Sequence, residues 1–243
     1  MNRKELLPIQ LIPLGDKAVV LQFGEEVSEG TQSKIQAVAH YLDSHPTPGI
    51  LEYVPAYTTL TVYYDPWILS EKGKKNPYDK VVGILQSALS KAKDDHKANG
   101  KRLVEIPVCY GGAFGPDLEE VAEKNNLTPE KVVELHTKKS YLVHMIGFAP
   151  GFPYLGGMDK RIATPRKSKP RAVIPAGSVG IAGTQTGVYP LETPGGWQLI
   201  GRTPLTLFNP EREEPSILKA GDQVRFIAIS EQEFKKQVKL HEH

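Results

Sequence analysis

The chain has 243 residues, a hydrophobic fraction of 40% and a single cysteine, Cys109. That is enough apolar material for one large domain or two small ones with proper cores. A lone cysteine cannot close an internal disulfide, so nothing calls for an oxidising compartment. The formal net charge is only +2 with both signs dispersed, which leaves no nucleic-acid footprint. The opening MNRKELLPIQ lacks the apolar run of a signal peptide, and no stretch is long and apolar enough for a membrane span, so a soluble cytoplasmic protein is expected.

Residues 17–23 (KAVVLQF), β-branched in their middle, predict a strand. Ser28 is placed to cap a helix in which Ile35, Val38, Ala39 and Leu42 recur at the 3.6-residue period, and residues 45–49 (HPTPG) end it. A short strand at 50–53 and a clearer one at 57–64 follow, the second with Thr58, Leu60, Val62 and Tyr64 on one face. Asn76-Pro77 joins a cap to a proline at the first helical position, and Val81, Ile84, Leu85, Ala88 and Leu89 carry that helix onward. The order β-α-β-β-α predicts a small α+β domain over residues 1–100, with helices on one sheet face. The polar run 91–102, which holds Asn99-Gly100, reads as a domain boundary.

The second domain, residues 101–243, opens with a strand at 103–108, whose Pro107 predicts an edge or a bulge. A short helix spans 117–125, and Thr128-Pro129-Glu130 starts another that runs to about His136. Strands are expected at 140–146, 205–208 and 223–229, with a turn at Ala220-Gly221-Asp222 and a short helix from Glu231. Between them lies residues 147–204, with eleven glycines and eight prolines. Such punctuation rules out helices and predicts short strands joined by shaped loops, hence a mainly β, closed or nearly closed barrel. The stretch is no linker, because Phe148, Phe152, Tyr154, Ile174, Val179, Ile181, Tyr189, Trp197 and Leu199 are spread through it.

The same stretch carries seven cations against two anions. A basic excess on glycine-rich backbone suits a small carboxylate or phosphate, and the plainer alternative is a solvated basic loop. Arg166 and Arg171 bracket Ser168-Lys169-Pro170 as candidate guanidinium forks. Gln185 offers both a donor and an acceptor for an amide, and Tyr189 offers a hydroxyl. Gly177, Ser178 and Gly180 lie where glycines recur at a three-residue spacing, as bare amides lining a site or as tight barrel corners. Trp197 reads as half core and half pocket wall, with a core role for both Trp197 and Phe148 as the alternative. His136 is a candidate site residue or a cation favouring a helix C-terminus. Nucleotide-loop motifs are absent, Ser178 lacks the glycine two residues before it that a nucleophile elbow needs, and the seven histidines show no metal spacing. No catalytic carboxylate pair stands out; Glu192 is the sole glutamate of the stretch.

Residues 145–155 (MIGFAPGFPYL), Pro165-Arg166, 174–183 (IPAGSVGIAG), 185–190 (QTGVYP), 193–197 (TPGGW) and 201–204 (GRTP) resemble the KipI/PxpB family, the B subunits of bacterial 5-oxoprolinase. The match extends to 14–16 (LGD) and 55–60 (PAYTTL), nearly end to end. The resemblance implies an α+β N-terminal domain and a cyclophilin-like β-barrel. It implies partnership with a paralogous C subunit (KipA/PxpC) and an A subunit of the LamB/YcsF type, together opening 5-oxoproline to glutamate with ATP, the ATP being a requirement of the complex. No metal or biotin site of the chain's own is expected. In Bacillus relatives the resemblance also implies binding and inhibition of a sporulation histidine kinase, antagonised by the KipA-like partner.

Overall fold

The computed structural model describes residues 9–92 and 102–241. The chain separates into two compact units, Met1–Gly100 and Lys101–His243. Most of the polar boundary run, residues 93–101, lies outside the described residues.

The first unit is a four-stranded antiparallel sheet of order β1-β2-β4-β3, from β1 (Gln10–Leu14), β2 (Ala18–Gln22), β3 (Ile50–Pro55) and β4 (Thr59–Tyr64). Helix α1 (Glu29–Ser44) starts where the Ser28 hydroxyl accepts the Thr31 N–H. A short α2 (Pro66–Leu69) is capped by Asp65, and α3 (Pro77–Lys91) by Asn76. Val19 and Leu21 of β2, Leu60, Val62 and Tyr64 of β4, Ile35, Val38 and Leu42 of α1, and Val81, Leu85 and Ala88 of α3 make its core. Two-residue and roughly 3.6-residue apolar periods thus meet in one layer, sheet under helices. Strand β1 was not expected: Pro13 spoils its strand pattern, and an edge position tolerates the missing N–H.

The second unit is a closed barrel of order β10-β7-β6-β13-β5-β12-β9. Its strands are β5 (Leu103–Tyr110), β6 (Ser140–Ile146), β7 (Pro153–Gly156), β9 (Ser178–Ala182), β10 (Gln185–Val188), β12 (Gln198–Arg202) and β13 (Gln223–Ala228). Beside it lie a two-stranded ribbon of β8 (Arg171–Ile174) and β11 (Thr193–Gly195), and the helices α4 (Leu118–Lys124), α5 (Pro129–Thr137) and α6 (Glu231–His241). Ile106, Val108, Tyr141, Val143, Leu155, Val179, Ile181, Ile200, Val224 and Phe226 fill the barrel and meet Val121 of α4 and Leu135 of α5.

Two expectations need correction. Strand β5 is not an edge: it pairs with β13 along its length and with β12 at Cys109 and Tyr110, so Pro107 sits before the second ladder begins. Residues 205–208 form no strand; Phe208 makes only an isolated bridge to Ser216, in a segment bounded by Pro204 and Pro210.

Candidate functional site

The segment between Thr164 and β8 is pinned at alternating points. The Thr164–Gly183 bridge anchors its start. Gln198 Nε2 donates to the Pro165 carbonyl at 3.1 Å, and the Lys167 N–H donates to the Gly196 carbonyl at 2.7 Å. Lys167 Nζ reaches Asp117 Oδ1 at 2.8 Å and Glu120 Oε2 at 2.7 Å, and Arg171 Nη2 reaches the same Asp117 oxygen at 2.7 Å. Residues 166, 168 and 169, between the pins, are exposed. Among the described residues Arg166 makes no ion pair, so it presents the uncommitted guanidinium of the loop.

Asp117 is the hub, and its role was not read from the sequence. It stands at the N-cap position of α4, where an aspartate ordinarily caps. Its side chain makes no cap bond. Instead Oδ2 accepts the Leu199 N–H at 2.7 Å, and Oδ1 holds the two cations. Burial raises its pKa, but the hydrogen bonds from Arg171, Lys167 and the Leu199 amide outweigh that and hold it below the usual carboxylate value. Glu120 is lowered to about 2, chiefly by Lys124 and then by Lys167.

Against this loop lies an aromatic cluster. The Phe152 ring meets Tyr154, Tyr189 and Trp197 edge-on, with centroids 5.1, 5.4 and 5.5 Å away. The glycines make room for it: a methyl on Gly187 would sit 3.0 Å from the tip of Phe152, and one on Gly195 2.5 Å from the Tyr189 hydroxyl. Burial pushes the Tyr189 phenol up to about 12, against the Trp197 N–H bonded to it and the opposing charges of Arg166 and Arg171. The phenol therefore keeps its proton and remains a donor. Arg166, Arg171, Tyr189 and Trp197 are thus brought into one neighbourhood, but Tyr189 and Trp197 lie buried in a packed core cluster with Phe152 and Ile174, so neither is the open pocket wall expected of them.

The other expected residues stand elsewhere. His136 is fully buried, with Nδ1 at 2.7 Å from the Tyr110 hydroxyl and Nε2 at 2.9 Å from the Thr186 hydroxyl. Its ring stacks on Phe226, centroids 4.5 Å apart. Burial lowers its pKa to about 3, so it is neither an accessible site group nor a cation on the helix end. The amides expected to face a ligand are occupied: Gly177 N–H donates to Tyr189 O, Ser178 N–H to Pro175 O, and Gly183 N–H to Thr164 O. Gly180 lies inside β9 between β10 and β12. These glycines serve close packing, since a methyl on Gly180 would meet Trp197 Cβ at 3.1 Å. Ser178 is buried, and its hydroxyl donates to Pro175 O at 2.7 Å. Gln185 starts β10 and Tyr189 follows its end, roughly 13 Å of extended chain apart, while the Thr164–Gly183 bridge sets the start of the loop two residues before Gln185. Phe148 is no core residue; it is 67% exposed. Among the described residues no histidine, cysteine and carboxylate group is arranged to hold a metal, and no helix is long and apolar enough to cross a membrane.

Residues 9–218 match the family model of the carboxyltransferase domain, subdomain C and D. The 5-oxoprolinase B subunit of Bacillus subtilis (strain 168) is 54% identical over 228 residues, 93% of this chain and 95% of the relative. The chain belongs to this family, that of the 5-oxoprolinase B subunits. The corresponding B subunit of Escherichia coli O157:H7 is 43% identical over 220 residues, covering 90% of this chain and 95% of that protein. The crystal structure of TTHA0988 superposes with a TM-score of 0.75 at 39% identity, covering 88% of this chain but 40% of that one. In that solved structure the family's fold is part of a longer polypeptide. The pinned loop and aromatic cluster all fall inside the matched span.

Proposed function

We propose that the chain is the B subunit of a cytoplasmic, ATP-dependent 5-oxoprolinase, acting with A and C subunits to open 5-oxoproline to glutamate. The relatives that share nearly its full length support the assignment. The observation that carries the chemistry is the convergence of Arg166, Arg171, Tyr189 and Trp197 on a loop held by Asp117. 5-Oxoproline bears a carboxylate and a lactam amide. Arg166 is the carboxylate's partner in this reading, because Arg171 already shares its charge with Asp117. Tyr189, Trp197 and Phe152, all buried in one packed cluster, back the loop from behind and do not themselves meet the substrate. In this reading the hydrolytic step and the ATP site belong to the assembled enzyme.

Coexpression with A and C subunits, followed by an assay of ATP-dependent 5-oxoproline cleavage, tests the reading. Activity that needs all three chains supports it; full activity without this chain discards it.

A further inference from the structure

Strand β12 puts a polar side chain where its ladder calls for an apolar one. Gln198 stands opposite Ile181 of β9, a fully buried residue of the barrel core. Cross-strand partners share a face, so the pattern asks for another aliphatic residue. Gln198 is 0% exposed, and a buried amide is costly unless its hydrogen bonds are made. Here they are made, to α4 and to the basic loop. Lys167 Nζ donates to Gln198 Oε1 at 3.3 Å, while Gln198 Nε2 donates to the Pro165 carbonyl at 3.1 Å and reaches Glu120 Oε1 at 3.5 Å. Only one orientation of the amide fits, with its acceptor toward the ammonium and its donors toward the two oxygens.

Those bonds bear on Arg166. The Pro165 ring fixes its own φ, and Gln198 fixes the carbonyl that follows, so the peptide plane before Arg166 is set. The plane after Arg166 is set by the Lys167 N–H, which donates to the Gly196 carbonyl at 2.7 Å. With both planes held, φ and ψ of Arg166 have little freedom left. The two anchors, Gly196 and Gln198, flank Trp197, which is buried in the aromatic cluster, so the clamp stands on packed structure. Arg166 itself is exposed and makes no ion pair among the described residues. A free guanidinium on a fixed backbone is preorganised for an anion, because the loop is ordered before the ligand arrives.

We infer that Gln198 is a positioning residue: it sets the backbone from which Arg166 meets the substrate carboxylate. This rests on the reading of Arg166 given above. Gln198 is wholly enclosed and does not itself touch the substrate. Its hold on Pro165 is distinct from that of Asp117, which grips the side chains of Lys167 and Arg171 and not the peptide planes beside Arg166. A barrel that needed only filling at this point would be served by an aliphatic side chain.

The test measures steady-state constants of the assembled enzyme for wild type, Arg166→Ala, Gln198→Met and the double variant. Gln198→Met keeps the volume and loses the amide. It should raise KM for 5-oxoproline about 5- to 10-fold, with kcat within about twofold of wild type. In the Arg166→Ala background it should move KM by less than about twofold, since the two residues act through one contact. An unchanged KM, a loss confined to kcat, or the same KM rise in both backgrounds would assign Gln198 to the fold alone. Each overturns the inference and leaves Arg166 as the anion partner. An unchanged KM for Arg166→Ala defeats the anion-site reading and the inference together. Should Gln198→Met fail to assemble, Gln198→Glu carries the same comparison, because the ionised carboxylate keeps the shape and the contact to Lys167 but has no donor for Pro165.

Discussion

Asp117 and Arg171 lie 54 residues apart in sequence, yet Asp117 Oδ1 accepts the Arg171 Nη2 hydrogen at 2.7 Å, with the carboxylate almost wholly shielded from water. The pair ties the start of α4 to the start of β8. Because the same oxygen also holds Lys167, one carboxylate sets both ends of the basic loop.

Removing that charge leaves two partly buried cations short of a partner. Asp117→Asn should cost about 3 kcal/mol, read as a shift in the urea midpoint of the barrel transition. The wild-type contribution also depends on acid. The folded carboxyl sits below its unfolded value, so its stabilisation is complete above about pH 4 and is lost as pH falls through the folded pKa. Asp117→Asn should therefore lose less stability than wild type between about pH 4 and pH 2. An equal acid loss in both proteins would refute this account.

Arg166 is exposed and makes no ion pair among the described residues. In the assembled enzyme Arg166→Ala should raise KM for 5-oxoproline by roughly 10- to 100-fold, while the melting temperature of the isolated chain moves by less than about 2 °C. Arg171→Ala, by contrast, should lower stability as well, since it strips Asp117 of one partner. Unaltered steady-state constants for Arg166→Ala would discard the anion site.

His136 predicts a second pH effect. Its pKa is lowered to about 3 in the folded state, against about 6.5 when exposed. The unfolded chain takes up the proton first, so stability present above about pH 6.5 drains away as pH falls toward about 3. His144, also lowered by burial, acts in the same sense. Differential scanning calorimetry between pH 7 and pH 4 should show a falling melting temperature. His136→Gln should start lower at pH 7, by about 1–3 kcal/mol for the disturbed bonds to Tyr110 and Thr186, and should then fall less steeply. A parallel pair of curves would count against it.

Gly195→Ala probes the aromatic cluster. The added methyl would lie 2.5 Å from the Tyr189 hydroxyl and 2.7 Å from Ile174 Cδ1. Both neighbours are buried, so relief requires movement of Tyr189. A loss of about 1–3 kcal/mol is expected, with a change in near-UV dichroism from Tyr189 and Trp197. Wild-type stability and spectrum would show that the cluster has slack to absorb a methyl.

Much of the architecture was legible in residues that act locally. Ser28, Asn76 and Thr128 announce helices through their caps, and each does accept the expected N–H. The glycine and proline density of 147–204 pointed to a barrel, and a closed seven-stranded barrel is found. What escaped was non-local. Strand β1 hid behind Pro13 because only its edge position makes that proline harmless. Asp117 passed as no more than the first residue of a short helix, since its partners Lys167, Arg171 and Leu199 arrive from far along the chain. Glycines 177, 180 and 183 could be read as ligand amides or as packing at barrel corners, and the strand ladders decide for packing. For His136, helix position alone could not reveal that the helix end faces the core.

Strand β13 pairs in parallel with β5, setting Gln223 against Leu103 and Ala228 against Val108. The last stave of the barrel therefore locks against the one laid down earliest, across some 120 positions. During synthesis the unit must wait, unsealed and with Phe226 still missing from its centre, until residues 223–228 have followed residues 103–108 out of the ribosome. Such a late-closing ring is slow to form and depends on its C-terminal portion for integrity.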